Sequence, residues 1–386
     1  MIKNFTFQSP TKIIFGKGAV GALKREIPVD KRILLIYGSQ SLKKYGAYDS
    51  IKKALADRPE VYEFSGITSD PEYDYLLKCV DFAKDKKIDY ILAAGGGSVI
   101  DAAKFVALAS LFNGDPWKIV DSFGACCKKA LPIAAIVTLP ASGSEVNRDA
   151  VISRCSKKAK LPLGNVAVYP QFAVLDPELT YSLPYEQTAN GILDTFVHVL
   201  EQYLTYPVNA KLQDRFSESI LITLIEDGPV ALKEPDNYES RSNLMLSSAM
   251  AMNGFLRAGV PMDWATHMIS HEITSLFGIP HARALAVVIG PYLHYCMEKK
   301  FKKLLQLSRR VWNIFEPNEN KAVELAIEKT IDFFKSLGFK TEISDYNLTN
   351  KDIEKVVKQL VSHRMVKLGE HRDITPEIVA SFFIGN

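Results

Sequence analysis

The chain has 386 residues, 47% of them apolar and 24% charged. That balance excludes a disordered or collagen-like chain and leaves length for two domains at roughly 100 to 200 residues each. Lys and Arg number 47 against 44 Asp and Glu, and a formal charge of +3 scattered along the sequence argues against a nucleic-acid partner.

Five cysteines, Cys79, Cys126, Cys127, Cys155 and Cys296, are spaced neither as a disulfide framework nor as a CxxC zinc site, which fits a reducing compartment. The opening segment MIKNFTFQSPTKIIFGKG has no continuous apolar run. No later stretch approaches the roughly 20 apolar residues of a membrane helix. The expected location is the cytoplasm, with no membrane partner.

In chain order, the first half alternates short β-branched runs with helical patterns. Strands are expected at Ile33–Tyr37, Tyr90–Ala94, Ile133–Thr138 and Phe172–Leu175, and helices at Tyr73–Lys86 and Ile100–Phe112. This alternation implies right-handed crossovers and a mostly parallel sheet, with ligands at the carboxyl ends of its strands. Beyond Leu183-Pro184 helical patterns follow one another without a convincing strand, and all seven histidines lie at or after His198. The pattern therefore predicts an α/β domain over residues 1–183 followed by an all-α domain over residues 184–386.

Three turns in the first half suit a nucleotide. Gly95-Gly96-Gly97-Ser98 follows a strand and opens a helix carrying Asp101 and Lys104, so free N–H groups and the helix dipole favour a pyrophosphate there. The glycines are expected to allow positive φ and close approach of the ligand, although the standard GxGxxG spacing is absent. Thr138-Leu139-Pro140-Ala141-Ser142-Gly143-Ser144-Glu145 offers hydroxyls beside a glycine after the next strand. Gly38-Ser39-Gln40-Ser41, followed by Lys43 and Lys44, carries no acid. A carboxylate at that strand end would accept a ribose 2'-hydroxyl and repel a 2'-phosphate, so this turn predicts NADP(H) over NAD(H).

In the second half, Asp194 and His198 are four apart on a helical pattern between Leu193 and Val197, and share one face. A second helix is expected at Asp263–Phe277, with His267 and His271 four apart. It should stop at Gly278-Ile279-Pro280, where the turn can bring His281 back. One carboxylate with several imidazoles and no cysteine suits Fe(II), Zn(II), Co(II), Ni(II) or Mn(II) with a position left open, rather than a structural zinc.

Together these residues resemble the iron-activated (group III) alcohol dehydrogenases from Phe15–Gly18 (FGKG) almost to the carboxyl terminus, and most nearly their NADPH-linked butanol dehydrogenase and aldehyde reductase branch. The family's GGGSxxDxxK stands at Gly95–Lys104, its TxxAxGSE loop at Thr138–Glu145 and its DxxxHxxE helix at Asp194–Glu201; DWATHMISHE, Asp263–Glu272, followed by His281, matches as well. The resemblance implies a dehydroquinate-synthase-like fold with the active site in an interdomain cleft, and a homodimer or larger homo-oligomer. It puts the metal on Asp194, His198, His267 and His281, with Fe(II) expected first and Zn(II) second. The dinucleotide falls on Gly38, Ser39, Ser41, Gly96, Gly97, Ser98, Asp101, Thr138, Leu139, Ser142, Asn147 and Lys160. Two positions depart from the pattern: Ser69-Asp70-Pro71 stands where the family usually reads PNP, and Lys160 has Lys157 and Lys158 close by. Contacts of Asp70 and of Lys157–Lys160 with the cofactor are therefore left open.

The function implied is reduction of short- to medium-chain aldehydes to primary alcohols by hydride transfer, with the metal polarising the carbonyl. His271, one helical turn from His267, is the candidate for relaying a proton to the alkoxide, the alternative being a supporting or core role beside the ligands. Alternatives on the same fold are a zinc-dependent glycerol dehydrogenase and a dehydroquinate synthase. A synthase needs Lys and Arg for its phosphorylated acid, whereas Phe196, Val197, Met268 and Leu276 surround the metal helices. A regulator that binds nucleotide without catalysis would be free to lose ligands, and all four are present.

Overall fold

A computed structural model describes residues 1–38, 41–44 and 46–383, with the Ser41 side chain outside that set. Contacts group the chain into two compact units: Gln8–Thr188 with Lys233–Asn253, and Met1–Phe7 with Ala189–Leu232 and Gly254–Asn386. Helix Tyr238–Met252 thus belongs with the sheet-bearing unit although it follows residue 183. Its Met245 and Ala249 are buried in the core on one face of the sheet.

The sheet-bearing unit holds strands β1 (Lys12–Phe15), β2 (Ile33–Tyr37), β3 (Val61–Phe64), β4 (Tyr90–Gly96), β5 (Ile133–Leu139), β6 (Asp149–Arg154), β7 (Ala159–Gly164) and β8 (Phe172–Leu175). Six form a parallel sheet in the order β1-β8-β5-β4-β2-β3, and β6 and β7 form an antiparallel pair. The uninterrupted apolar runs follow from coverage on both faces. Leu34, Ile36, Ile91 and Ala93 join the core on one face, while Ile33, Leu35, Tyr90 and Leu92 join the core on the other. Each fully buried branched side chain contributes roughly 1.5 to 3 kcal/mol.

The adjacency of β4 and β5 sets the Gly95–Ser98 turn beside the loop that begins at Thr138. In register Gly95 faces Val137 and, after a shift, Gly96 faces Leu139. The helix that follows is Gly97–Ser110, three residues earlier than the apolar pattern indicated, because Gly97 is itself its first residue.

The other unit is helical. Its site-bearing helices are Tyr185–Tyr203, Ala265–Phe277 and His281–Tyr295; among the described residues after Leu175 the sole β-pairing is an isolated bridge, Leu368 with Ile374. Phe196 packs its ring 5.3 Å from Phe333 and 5.5 Å from Phe334, which anchors the Asp194–Glu201 turns of their helix in the core. Gly278 ends Ala265–Phe277 at φ 68, with its N–H on the Thr274 carbonyl at 2.9 Å. That left-handed cap turns the chain so that His281 opens the next helix. Among the described residues, no helix is long and apolar enough to cross a membrane.

Candidate metal centre and nucleotide loops

Asp194, His267 and His281 converge: one ligating atom from each lies within 4.8 Å of the others. The Asp194 Oδ1 atom is 3.6 Å from His198 Nδ1, 3.6 Å from His267 Nε2 and 3.7 Å from His281 Nε2. Helical spacing explains Asp194 and His198, and the Gly278 turn brings in His281. The His198 and His267 rings stack at 4.3 Å and 23°. Three of these side chains are nearly inaccessible, while that of His281 is 26% exposed, so the cluster opens on the His281 side.

The donor chemistry fits a divalent cation. His198 Nδ1 and His267 Nε2 are buried ring nitrogens with no hydrogen-bond partner among the described residues, a condition that costs about 1 to 3 kcal/mol per group unless something else engages it. Three imidazoles and a carboxylate would hold the ion with no thiolate. The stacked rings carry opposite tendencies. Burial, with a smaller effect from His267, pushes His198 down to about 4. Burial also opposes charge on His267, but the carboxylates of Glu201 and Asp194 outweigh it and push that ring up to about 9.

His271 is buried one turn beyond His267; its ring lies 5.0 Å from that of His281 and 6.4 Å from that of His267. It borders the cluster of converging ligand atoms without joining it.

The nucleotide-loop residues lie in the sheet-bearing unit. None of Gly95, Gly96 and Gly97 has a positive φ, so the expected left-handed backbone is absent and these glycines answer to space instead. A Cβ on Gly97 would lie 2.2 Å from Ser142 Oγ, and one on Gly96 would lie 3.1 Å from Leu139 Cβ. Leu139 and Ser142 thus abut the glycine turn, and Thr138 is the residue passed over at the register shift. Ser98 donates its hydroxyl to the Ser69 carbonyl at 2.5 Å. Gly97→Val is expected to displace the Ser142 loop and weaken dinucleotide binding by about tenfold, ~1.4 kcal/mol, leaving metal content unchanged. Titration of cofactor fluorescence checks it, and an unaltered dissociation constant would make the turn merely structural.

Asp101 and Asn147 are committed to the protein. Asp101 accepts Ser144 Oγ at 2.6 Å and the Val151 N–H at 2.9 Å. Asn147 Oδ1 accepts Lys104 Nζ at 2.9 Å and the Asp149 N–H at 2.9 Å. Lys160 pairs with Asp70 at 2.6 Å, which joins two positions where the sequence left the pattern open. Gly38 follows β2, and a Cβ there would find only ordinary contacts, 3.4 Å to the Ile67 carbonyl and 3.9 Å to Val99. Ser39 and the Ser41 side chain lie outside the described residues.

Comparison with known proteins decides the lineage. The iron-containing alcohol dehydrogenase pattern matches residues 10–177, and that of the C-terminal domain of the same family matches residues 188–383. The chain is 47% identical over 379 residues to the NADPH-dependent aldehyde reductase YqhD of Escherichia coli, covering 98% of each chain. This chain belongs to the iron-containing alcohol dehydrogenase family. Its fold matches the crystal structure of Escherichia coli YqhD with a TM-score of 0.97 at 46% identity, covering 99% of this chain and 98% of that one. A Thermotoga maritima NADH-dependent butanol dehydrogenase A matches with a TM-score of 0.94 at 31% identity, covering 99% and 98%. A probable NADH-dependent butanol dehydrogenase of Bacillus subtilis is 35% identical over 98% of each chain.

In this alcohol dehydrogenase two buried polar residues, one in each unit, brace expected site residues without having been assigned to the site themselves. Lys104, 0% exposed, donates to Ser144 Oγ, Asn147 Oδ1 and the Asp149 carbonyl, and so ties the helix of the glycine turn to the neighbouring loop. Glu201 pairs with His267 Nδ1 and accepts the Thr266 N–H at 2.6 Å. Its signal was in the sequence: it follows His198 by three and Asp194 by seven, on the same helical face.

Proposed function

We propose that this chain is a metal-dependent, NADPH-linked alcohol dehydrogenase working mainly as an aldehyde reductase on short- to medium-chain aldehydes. The observation that carries the reading is the convergence of Asp194, His267 and His281 in a chain 47% identical to an NADPH-dependent aldehyde reductase. Bound at these residues, a divalent metal, Fe(II) first and Zn(II) second, supplies Lewis-acid polarisation of the carbonyl, and reduced nicotinamide supplies the hydride.

The chain's own residues have simpler tasks. Asp194, His198, His267 and His281 hold the ion, and the opening on the His281 side leaves it accessible to a substrate. The Gly96–Ser98 turn holds the pyrophosphate with its N–H groups, and Thr138, Leu139 and Ser142 line the adjoining loop. His271, buried beside His281, passes a proton toward the product oxygen. Asp101, Asn147 and Lys160 act on the nucleotide through the loops they fix.

The test is NADPH consumption with butanal by anaerobically purified protein, before and after metal removal and selective restoration. Turnover that vanishes with the metal and returns with iron or zinc supports the reading. No turnover with any metal would favour a dehydroquinate-synthase-like enzyme or a non-catalytic nucleotide binder, and turnover with glycerol alone would favour a glycerol dehydrogenase.

Cofactor choice rests on Gly38. A carboxylate there would repel a 2'-phosphate, and the space beside Gly38 accepts a side chain. Gly38→Asp is expected to lower the NADPH-to-NADH ratio of kcat/KM by about tenfold to a hundredfold, roughly 1 to 3 kcal/mol. A parent that uses both equally, or a variant that keeps the parent's ratio, would sink the assignment. We further infer a homodimer or larger homo-oligomer, tested by light scattering, and a cytoplasmic location, which the five free cysteines support.

A further inference from the structure

We propose that Glu201 is the positioning residue of the metal centre, fixing His267 in the tautomer and orientation that present Nε2 to the ion. The inference rests on the metal-binding reading of Asp194, His198, His267 and His281.

Glu201 shares a helical face with two of those ligands, yet its carboxylate reaches across to the neighbouring helix. One oxygen accepts the Thr266 N–H at 2.6 Å and the other pairs with His267 Nδ1. Thr266 lies in the first turn of Ala265–Phe277, where N–H groups have no acceptor within the helix, so the carboxylate satisfies one of them and complements the helix dipole. The Glu201 main-chain carbonyl accepts the Asp263 N–H at 3.1 Å. One residue therefore holds the Asp263–His267 segment at three points.

Between these anchors Trp264 adopts φ 63, a left-handed conformation that a bulky side chain takes only when its surroundings impose it. Asp263 is pinned from the other side. It accepts Lys300 Nζ at 2.7 Å, the Tyr292 hydroxyl and the Ala265 N–H at 2.9 Å, and Lys300 also donates to Glu370 at 2.7 Å. The strained turn before His267 is thus held by buried charges on one side and by Glu201 on the other.

With Nδ1–H held on a carboxylate, the proton a bound cation would displace from His267 is the one on Nε2, and the lone pair meets the ion there. That atom is buried, has no hydrogen-bond partner among the described residues and lies 3.6 Å from Asp194 Oδ1. A carboxylate accepts from both Thr266 and His267, whereas a glutamine amide of the same size accepts from only one of them. Glu201→Gln therefore keeps the shape and removes the orientation.

The experiment measures the zinc dissociation constant of parent and Glu201→Gln by competition with a chromogenic chelator, together with the NADPH dissociation constant and the urea midpoint. Glu201→Gln should bind zinc about tenfold to a hundredfold more weakly with NADPH binding unchanged. A carboxylate that only caps the helix would lower the urea midpoint and leave zinc affinity at the parent value, and that result overturns the proposal. Nitrogen-15 histidine spectra of the zinc-loaded parent give a readout independent of the variant's folding: a proton on His267 Nδ1 with zinc on Nε2 supports it, and zinc on Nδ1 overturns it. A parent that binds no zinc or iron at all would instead overturn the metal reading beneath it.

Discussion

His267→Ala is expected to lose metal and turnover together while remaining folded. The His267 ring lies between that of His198, 4.3 Å away, and that of His281, 5.5 Å away, with Nε2 3.6 Å from Asp194 Oδ1. Without it, one carboxylate and two imidazoles remain, one of the latter partly open to water, and the Glu201 oxygen it engaged loses its partner. Several kcal/mol of carbonyl polarisation disappear with the ion, so kcat/KM with butanal should fall by about 10³-fold or more. Alanine is the best helix former, and the helix keeps its Gly278 cap, so the far-ultraviolet circular dichroism should match the parent. Metal analysis and turnover on the same preparation check it. A variant that keeps full metal content and full turnover would mean that the cluster has been misread.

The central strands were legible because a parallel sheet covered on both faces demands unbroken apolar runs, and Ile33–Tyr37 and Phe172–Leu175 appear in the structure with the bounds read from the sequence. The two edge strands were not. Lys12–Phe15 and Val61–Phe64 are only partly buried and carry Lys12 and Glu63, so neither shows the unbroken apolar run of a strand covered on both faces. The pair β6–β7 was hidden by Pro162 and Lys160 within it, which lowered its apparent strand character. The histidine spacing was legible because helical geometry alone puts residues four apart on one face. What brings His281 to them is a chain reversal at Gly278, and there the Gly-Ile-Pro sequence was enough.

The glycine turn shows where pattern reading stops. Three adjacent glycines suggested left-handed backbone, but the structure uses them to let β4, β5 and their loops approach, with Ser142 Oγ in the space where a Cβ of Gly97 would sit. Sequence alone does not distinguish these two reasons for glycine. Nor did it predict that Asp101 would be occupied by Ser144 and Val151 and Asn147 by Lys104, since those contacts join residues about 40 to 50 positions apart.

Glu145 carries the second large effect, on stability. It stands in the 3-10 turn Ser144–Val146 after Gly143, whose φ of 57 and contact with Met252 leave no room for a side chain. The residue is 3% exposed, and Oε1 has no hydrogen-bond partner among the described residues. Burial pushes it up to about 7 from the usual 4.5, the Asp101 charge adding to burial while Lys104 partly offsets it. Between those values the folded chain binds a proton that the unfolded chain has lost, so stability falls as pH rises from about 4.5 to 7; above that a desolvated carboxylate remains in the core. At roughly 1.4 kcal/mol per pH unit the loss is about 3 kcal/mol. Glu145→Gln keeps the shape and removes the titration, so its stability relative to the parent should climb by about that amount between pH 4.5 and pH 8. Urea unfolding of the cofactor-free proteins across this range measures the difference directly, because every other titrating group is common to both. Two stability curves that stay parallel would show that Glu145 is ionised in the native state well below neutrality and that its cavity is more polar than its partners suggest.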